Sequence, residues 1–575
     1  MSVDRESLRE TAKYLQNVRP VDPEEVYEYL PSQPHPAVVR RALREEAFSL
    51  GFREREDGSF VPISEDPVDQ PGWEPTQYPP QYDRAVADRL VERYGRDWET
   101  GESGHRLRER IRELKETYYR GEQASYDEEA ALAYAIYHGA DFYAATGYAL
   151  DPLTERGLLP RRLRVLDVGA GTGSPAVALH DYLPEDAVVD YHAVEPSANA
   201  DVLEAVLAET GRNFRTTIHR TTAEAFDPGS VGERSEDDND GSNHDDERHG
   251  RDESGGYDEG DGHDEGRSRD GPVDLLLFGN VLSELAEPAA TVERYCDALA
   301  SDGSCLLLAP ADLETATGLR SVERTVATPD SELTVYAPTL RLWPGQTPSD
   351  RGWSFDERPP LAEPPPTQRR LADTAEPDEF PDRDDLDPEQ FRNTSVRFAY
   401  AILRRDGERR LPVRASADRH ARLADSETHV TGRVNTMVVK LSRNLAGDDV
   451  PRDEVQRDGV PRDGVQRDGV PRNGVQRDGP VEDSEGTAGG ERLASDAEAT
   501  AGSGDDRNPV YRVGDGSQSV DHYAVLTRRS SLNGDLQTAP YGAVLSIENV
   551  LVLWNDDERA YNLVCDAETV VDLVG

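Results

Sequence analysis

The sequence predicts an α/β protein whose central domain is a parallel sheet covered by helices on both faces, with a small winged-helix-like segment before it and a β-rich domain after it. Three observations carry this reading. Apolar strand-like runs, "RVLDVGA", "VVDYHAVEP", "RTTIHRTTAEAF" and "PVDLLLFGNVLSEL", follow one another with helical segments between the first three, the alternation that builds a doubly covered sheet. The first run opens into three glycines at alternate positions, Gly169, Gly171 and Gly173, just before a helix start at Ser174-Pro175. The second ends on an acid, Glu195.

The chain has 575 residues, enough for two to four domains and at least one large core. Asp and Glu number 114 against 64 Lys and Arg, a formal charge of -50, and the only lysines are Lys13, Lys115 and Lys440. A carboxylate-rich surface stripped of lysine suits a halophilic, salt-rich cytoplasm, where repulsion is screened within a few ångströms. Screening also removes the long-range penalty for approaching phosphate, so the net charge does not exclude RNA. Cys296, Cys305 and Cys565 form no metal-ligand or disulfide spacing and read as small buried hydrophobes. The N-terminus has no basic flank followed by an apolar core, and no run of about 18 apolar residues occurs, so the expected localisation is cytoplasmic with no membrane partner.

In chain order, residues 1–65 hold "PAVVRRALREEAFSLGF", a helix pattern, then "FREREDGSFVPI", two short strands joined at Asp57-Gly58 as a two-residue hairpin turn. This resembles a winged helix, and the acidic wing favours the alternative, an α/β appendage with no nucleic-acid role. A Pro-rich spacer, "EDPVDQPGWEPTQYPPQYD", leads to a helical stretch over 80–150 and then to the α/β domain over 151–405. Within that domain 229–272 is nearly devoid of apolar residues and reads as a disordered acidic insert whose scattered His and Asp have no metal-ligand spacing. Residues 406–575 are β-rich, of a pattern that fits an oligonucleotide-binding (OB-like) barrel or any other compact β domain, interrupted over 446–507 by a linker with a five-residue near-repeat from Val450.

The glycine loop defines the candidate site. Missing Cβ atoms let backbone turn tightly beside a ligand at the carboxyl end of a strand, and the following helix start offers free N–H groups. The spacing differs from the dinucleotide fingerprint. Asp167, two residues before the first glycine, would repel a pyrophosphate and attract the ammonium of an amino-acid moiety. Glu195 stands where an acid accepts hydrogen bonds from ribose hydroxyls, Glu224 after the third strand is placed near an adenine, and Gly279 lies at the pocket lip after the fourth. The pattern resembles motif one of class I S-adenosylmethionine-dependent methyltransferases, a Rossmann-like fold, and predicts that cofactor. For catalysis the weak candidates are Asn280 and Glu284; no Asn-Pro-Pro-aromatic or Pro-Cys acceptor motif is present.

Further pieces, "ALAYAIYHGADFYAATGYAL", "LLLFGNVLSEL", "VYAPTLRLWPG", "DRGWSFDERP" and "VRFAYAILRR", spread over about 80–405, are similar to the mitochondrial-type small-ribosomal-subunit methyltransferase-like family, in a haloarchaeal form. The resemblance implies a small ribosomal subunit or rRNA partner. Many members bind an iron–sulfur cluster through cysteines after "VLSEL"; here Ala337-Pro338, Leu342 and Trp353-Ser354-Phe355 stand in that region, so no cluster is expected and no other metal. The function that follows is S-adenosylmethionine-dependent methylation of rRNA or participation in subunit assembly. The alternatives are a non-catalytic assembly factor that binds the cofactor, and a class I methyltransferase for a protein or small molecule.

Overall fold

The computed structural model describes residues 3–119, 125–231, 271–345, 352–375, 387–446 and 508–575; the acidic insert and the repeat-bearing linker fall almost wholly outside these. Three helices, α1 (Arg5–Gln16), α2 (Pro23–Tyr29) and α3 (Pro36–Leu50), precede a hairpin of β1 (Phe52–Glu54) and β2 (Phe60–Pro62). Leu8, Val26, Val39, Leu43, Phe52 and Phe60 form their common core. The hairpin differs from the expected two-residue turn. Arg55 and Ser59 still pair across it, leaving a three-residue loop, Glu56 to Gly58, with Gly58 at φ 81°. A glycine in the left-handed region closes such a loop without Cβ strain.

The spacer is no free linker. Val68 is buried and donates its N–H to Leu159 O, and Trp73 packs between Tyr143 and Tyr182 while its indole N–H meets Ala144 O at 3.1 Å. Its prolines keep the chain extended, and its aromatics bury between them more apolar surface than a solvated linker could. It lies against α6 (Glu128–Thr154), a long helix buried along most of its length, which follows α4 (Pro80–Tyr94) and α5 (Gly101–Tyr119).

The central sheet begins with β3 (Arg162–Val168), α7 (Ser174–Tyr182), β4 (Val188–Val194), α8 (Asn199–Leu207) and β5 (Phe214–His219). It continues with β6 (Val273–Gly279), α9 (Pro288–Cys296), β7 (Leu299–Pro310), α10 (Leu313–Val326), β8 (Thr334–Ala337), β9 (Asp356–Arg358), α11 (Pro366–Asp373) and β10 (Val396–Arg404). The strand order is β5-β4-β3-β6-β7-β10-β8. The first five run parallel, and β10 is antiparallel to β7, β8 and, off this path, β9. The order reverses between β3 and β6, so the crevice beyond their carboxyl ends is the place an open α/β sheet offers a ligand. Helices cover both faces of β3 and β6, which buries Val165 and Leu275 in one cluster and Leu166 and Leu276 in the other.

The last domain contains β11 (Arg433–Lys440), β12 (Val510–Gly514), β13 (His522–Leu526), β14 (Val544–Asn555), β15 (Ala560–Cys565) and β16 (Val570–Leu573). The path β11-β12-β13-β15-β14 returns onto β11, so five strands close into a small barrel with β16 on its rim. It is held to the central domain by Trp343 Nε1 donating to Asp515 (2.7 Å), Arg320 to the Tyr541 hydroxyl (3.0 Å) and Arg512 to Trp353 O (3.1 Å). The N-terminal unit docks beside the start of β5, where the Asn213 amide bonds both backbone groups of Glu54. No helix among the described residues is long and apolar enough to cross a membrane.

Gly147 on α6 sits under Trp73, and a Cβ there would lie 2.1 Å from the indole ring. Gly147→Ala should therefore lower stability by about 1–3 kcal/mol through overpacking, read as a drop in the denaturant midpoint, even though alanine is the better helix former.

Candidate functional site

A cavity of about 470 Å³ opens at the carboxyl ends of β3, β4 and β6, within the range of small-molecule and cofactor sites. Its floor is the loop after β3. Gly169 and Ala170 donate their N–H groups to Val194 O at 2.9 and 3.2 Å, pulling the loop onto the end of β4. All three glycines have positive φ, 68°, 56° and 95°, yet they are bare for different reasons. A Cβ on Gly169 would lie 2.3 Å from Val281 Cγ2 and one on Gly173 2.8 Å from Leu203 Cδ1, so these two are demanded by packing. A Cβ on Gly171 meets nothing closer than 3.9 Å. Gly171 alone is bare toward open space, and it lines the cavity.

Glu195 reaches back to this loop. Its Oε2 accepts the Gly171 N–H at 2.9 Å, and its Oε1 accepts from the Ser197 N–H at 3.0 Å and the Ser197 hydroxyl at 2.5 Å. The carboxylate is buried and lines the cavity. Oε1 thus has both lone-pair directions taken, while Oε2 has a second one open to a further donor. Beside it the Asn199 Oδ1 is buried on the cavity wall with no hydrogen-bond partner, and a buried acceptor without a donor is a cost that a ligand hydroxyl or amine would remove. Gly169, Glu224, Gly279, Asn280 and Glu284 also line the space. Glu224 is exposed at the mouth, and Asn280 holds a left-handed backbone at φ 60°, a conformation asparagine tolerates better than most residues.

Two of the nine sequence-derived residues stand behind the cavity rather than on it. Gly173 caps α7 and packs against α8. Asp167 is fully buried, its Oδ2 taking the Tyr191 hydroxyl at 2.5 Å and its Oδ1 without a partner. The correction has a simple cause: Asp167 precedes the loop by two residues, inside β3, so its side chain projects between strand and helices and not beyond the strand end. Burial raises its pKa to about 7, against the hydrogen bond from Tyr191 and with the charge of Glu195. A cofactor ammonium would meet it only through the loop.

The wall opposite the loop is aromatic and was missed in the sequence as a site feature. Tyr134, His138 and Phe142 recur at helical spacing on one face of α6, with Phe142 and the His138 ring stacked at 4.7 Å. Tyr126 packs edge-on to Tyr134 and donates its hydroxyl to Glu284 Oε1 at 3.0 Å, spanning the mouth. The spacing of four was visible, but an aromatic stripe on an apolar helix reads equally as core. Among the described residues no group of three His, Cys, Asp or Glu is arranged to hold a metal ion, and the three cysteines are buried.

Two stretches match family models: residues 5–56 the Domain of unknown function (DUF8157) N-terminal domain and residues 497–574 its C-terminal domain. No curated protein matches the chain. Among solved structures it is similar to a putative S-adenosyl-L-methionine-dependent methyltransferase from Methanococcus maripaludis (12% identity, 32% of this chain and 64% of that one, TM-score 0.21). It is also similar to the plantazolicin methyltransferase BpumL in complex with SAH (9%, 56% and 95%, TM-score 0.24) and to the glycopeptide N-methyltransferase MtfA complexed with S-adenosyl-L-methionine (17%, 30% and 57%, TM-score 0.19). The chain thus spans just under two thirds of the length of the Methanococcus protein.

The state of Asp167 gives a pH signature. Its folded value, about 7, lies above the ordinary 3.8, so the folded chain holds this proton more tightly than the unfolded one. The favourable contribution is complete below pH ~4 and is lost as pH rises toward ~7, at up to ~1.4 kcal/mol per pH unit. Asp167→Asn, which keeps an acceptor for Tyr191, should flatten the pH dependence of the denaturation free energy over that window; parallel slopes for variant and wild type would show a carboxylate that ionises normally.

Proposed function

We propose that the central domain is a class I methyltransferase-like domain that binds S-adenosylmethionine, and that the protein acts on or binds the small ribosomal subunit through its RNA. The observation that carries the cofactor assignment is the pairing of Glu195 with the bare Gly171 backbone across the β3–β4 crevice. The donors and acceptors present suit a nucleoside joined to an amino acid. Glu195 accepts from the ribose hydroxyls, Asn199 Oδ1 takes the donor it lacks, and Thr222 to Glu224 border the adenine. Gly169 and Gly171 let the methionine part lie against backbone, and Gly279 with Asn280 forms the lip toward the acceptor. Asp167 and Gly173 shape this loop from behind.

Bound in this cavity, S-adenosylmethionine would supply an electrophilic methyl group for transfer to a nucleophile. The task of the chain is to hold the two partners in register and to keep water out, effects able to account for a large part of such a rate enhancement. Tyr126, Tyr134 and Phe142 supply a flat apolar wall suited to a planar acceptor. The partner half of the reading is supported by the sequence resemblance and by the closed five-stranded barrel, an architecture compatible with oligonucleotide binding.

A second reading has its own observation. Glu284, an acid that lines the cavity with Asn280, already accepts from the Tyr126 hydroxyl, an arrangement that suits a cofactor-sensing assembly factor as well as an enzyme. Loss of an rRNA methyl mark in a deletion strain, restored only by cofactor-competent protein, favours the enzyme; intact marks with defective subunit assembly favour the sensor.

In calorimetry, Glu195→Ala should weaken S-adenosylmethionine binding by about 10- to 100-fold, the loss of charge-assisted hydrogen bonds, and Gly171→Val should block it. Wild-type affinity in both variants rejects this site.

A further inference from the structure

The charge balance of this chain reverses on the segment that follows β10. From Arg404 to Arg422, the segment joining β10 to the barrel, there are seven arginines against three acids, a local charge of +4 in a protein at -50. Three of these arginines are struts. Arg404 pairs with Asp406, Arg405 with Glu332 at 2.7 Å and Arg410 with Glu155 at 2.7 Å. The other four, Arg409, Arg414, Arg419 and Arg422, have no carboxylate partner among the described residues, although carboxylates outnumber cations nearly two to one in the sequence.

The strap is anchored so that these side chains are displayed. Leu411, Val413 and Ala415 pack against Leu340, Leu342 and the barrel, and the Ala415 N–H bonds Leu342 O at 2.9 Å. Arg414 and Arg419 are exposed. Arg409 bonds the backbone carbonyl of Arg341, and Arg341 itself has its Nε and one Nη buried without a hydrogen-bond partner. Arg422 lies half-buried over the Trp343 ring at 5.1 Å. Like charges held together without counter-charges raise the free energy of the folded protein unless an anion joins them. The fork geometry of guanidinium suits phosphate oxygens, and an Arg plane backed by an indole suits a stacked base. The acids on the strap itself, Asp406, Glu408 and Asp418, are exposed, and Asp406 is already paired.

We propose that this strap is a docking surface for the phosphate backbone of a nucleic acid. It deepens the partner half of the reading above and is independent of the cofactor half. It leaves β10 at the Arg404 end, which pairs with Ser304 low in β7, and Arg410 bonds Glu155 just ahead of β3. That is the rim of the sheet opposite the cavity, so the surface positions a large substrate or particle and does not present the acceptor atom.

The test compares full-length wild type with the triple variant Arg409→Gln, Arg414→Gln, Arg419→Gln and with a charge-matched control, Arg41→Gln, Arg106→Gln, Arg369→Gln, altered at exposed arginines elsewhere. Binding of a single-stranded RNA oligonucleotide is measured across a salt series, with folding checked by circular dichroism. The strap variant should lose at least ten-fold in affinity, with a salt slope shallower by about 2 for three lost phosphate contacts, while the control keeps both. Equal binding by wild type and strap variant, no RNA binding by wild type, or displacement of the RNA by poly-glutamate at equal charge would each overturn the proposal. RNA binding through the strap without co-sedimentation with small subunits would overturn the ribosomal reading and leave the strap standing.

Discussion

The architecture of the site turns on one hydrogen bond, from the Gly171 N–H to the Glu195 carboxylate. It joins the loop after β3 to the end of β4, and both its partners face the cavity. The bond requires the two strand ends to be adjacent, which the parallel β3–β4 pairing ensures through Val168 opposite Val194. It requires the loop to turn at once after the strand, which the left-handed glycines permit. It also requires the neighbours to close in behind, Val281 beneath Gly169 and Leu203 beneath Gly173, at distances no side chain on either glycine would allow. The loop is therefore fixed from below by packing and from the side by an acid, and its one unconstrained surface is the backbone at Gly171.

Much of this was legible in the residues. Buried parallel strands carry apolar residues toward both faces because both are covered, so Leu275 to Phe278 of β6 and the valines and leucines of β3 stood out, and the acid at the end of the second strand fell into register with the glycines. What could not be read was depth. Asp167 and Gly173 belong to the same short motif as Gly171, yet strand periodicity sends Asp167 into the core against Tyr191 and helix packing consumes Gly173. The Pro-rich spacer looked like a linker because proline marks breaks in regular structure, whereas its tryptophan fills a slot created by a glycine 74 positions later on α6. Contacts that distant leave no local trace. The aromatic wall of α6 was visible as spacing but ambiguous in meaning, since core and ligand-facing stripes obey the same period.

The few lysines show how a basic residue is chosen where arginine dominates. Lys115 is largely buried, donates to Gln390 O at 2.6 Å and lies 3.8 Å from the centre of the Tyr137 ring; Lys440 donates to Gln537 O and Ala539 O and lies over Tyr511. Burial lowers both to about 8. A compact ammonium fits a niche of carbonyls and an aromatic face where the broad guanidinium fork would leave donors unmet. Arginine, by contrast, ties the domains together and, on the strap after β10, supplies four side chains with no carboxylate partner among the described residues beside three that are paired. Cavity and strap lie at opposite rims of one sheet, so the two proposed roles, holding a small cofactor and docking a nucleic acid, would not compete for one surface.

A crystal structure of the full chain grown with S-adenosylhomocysteine tests the central claim most directly. The account predicts the ribose hydroxyls within hydrogen-bond distance of Glu195, backbone contact at Gly171, and the base beside Thr222 to Glu224. Density for the nucleoside elsewhere, or a Glu195 carboxylate turned away from a ribose bound in the cavity, would contradict it.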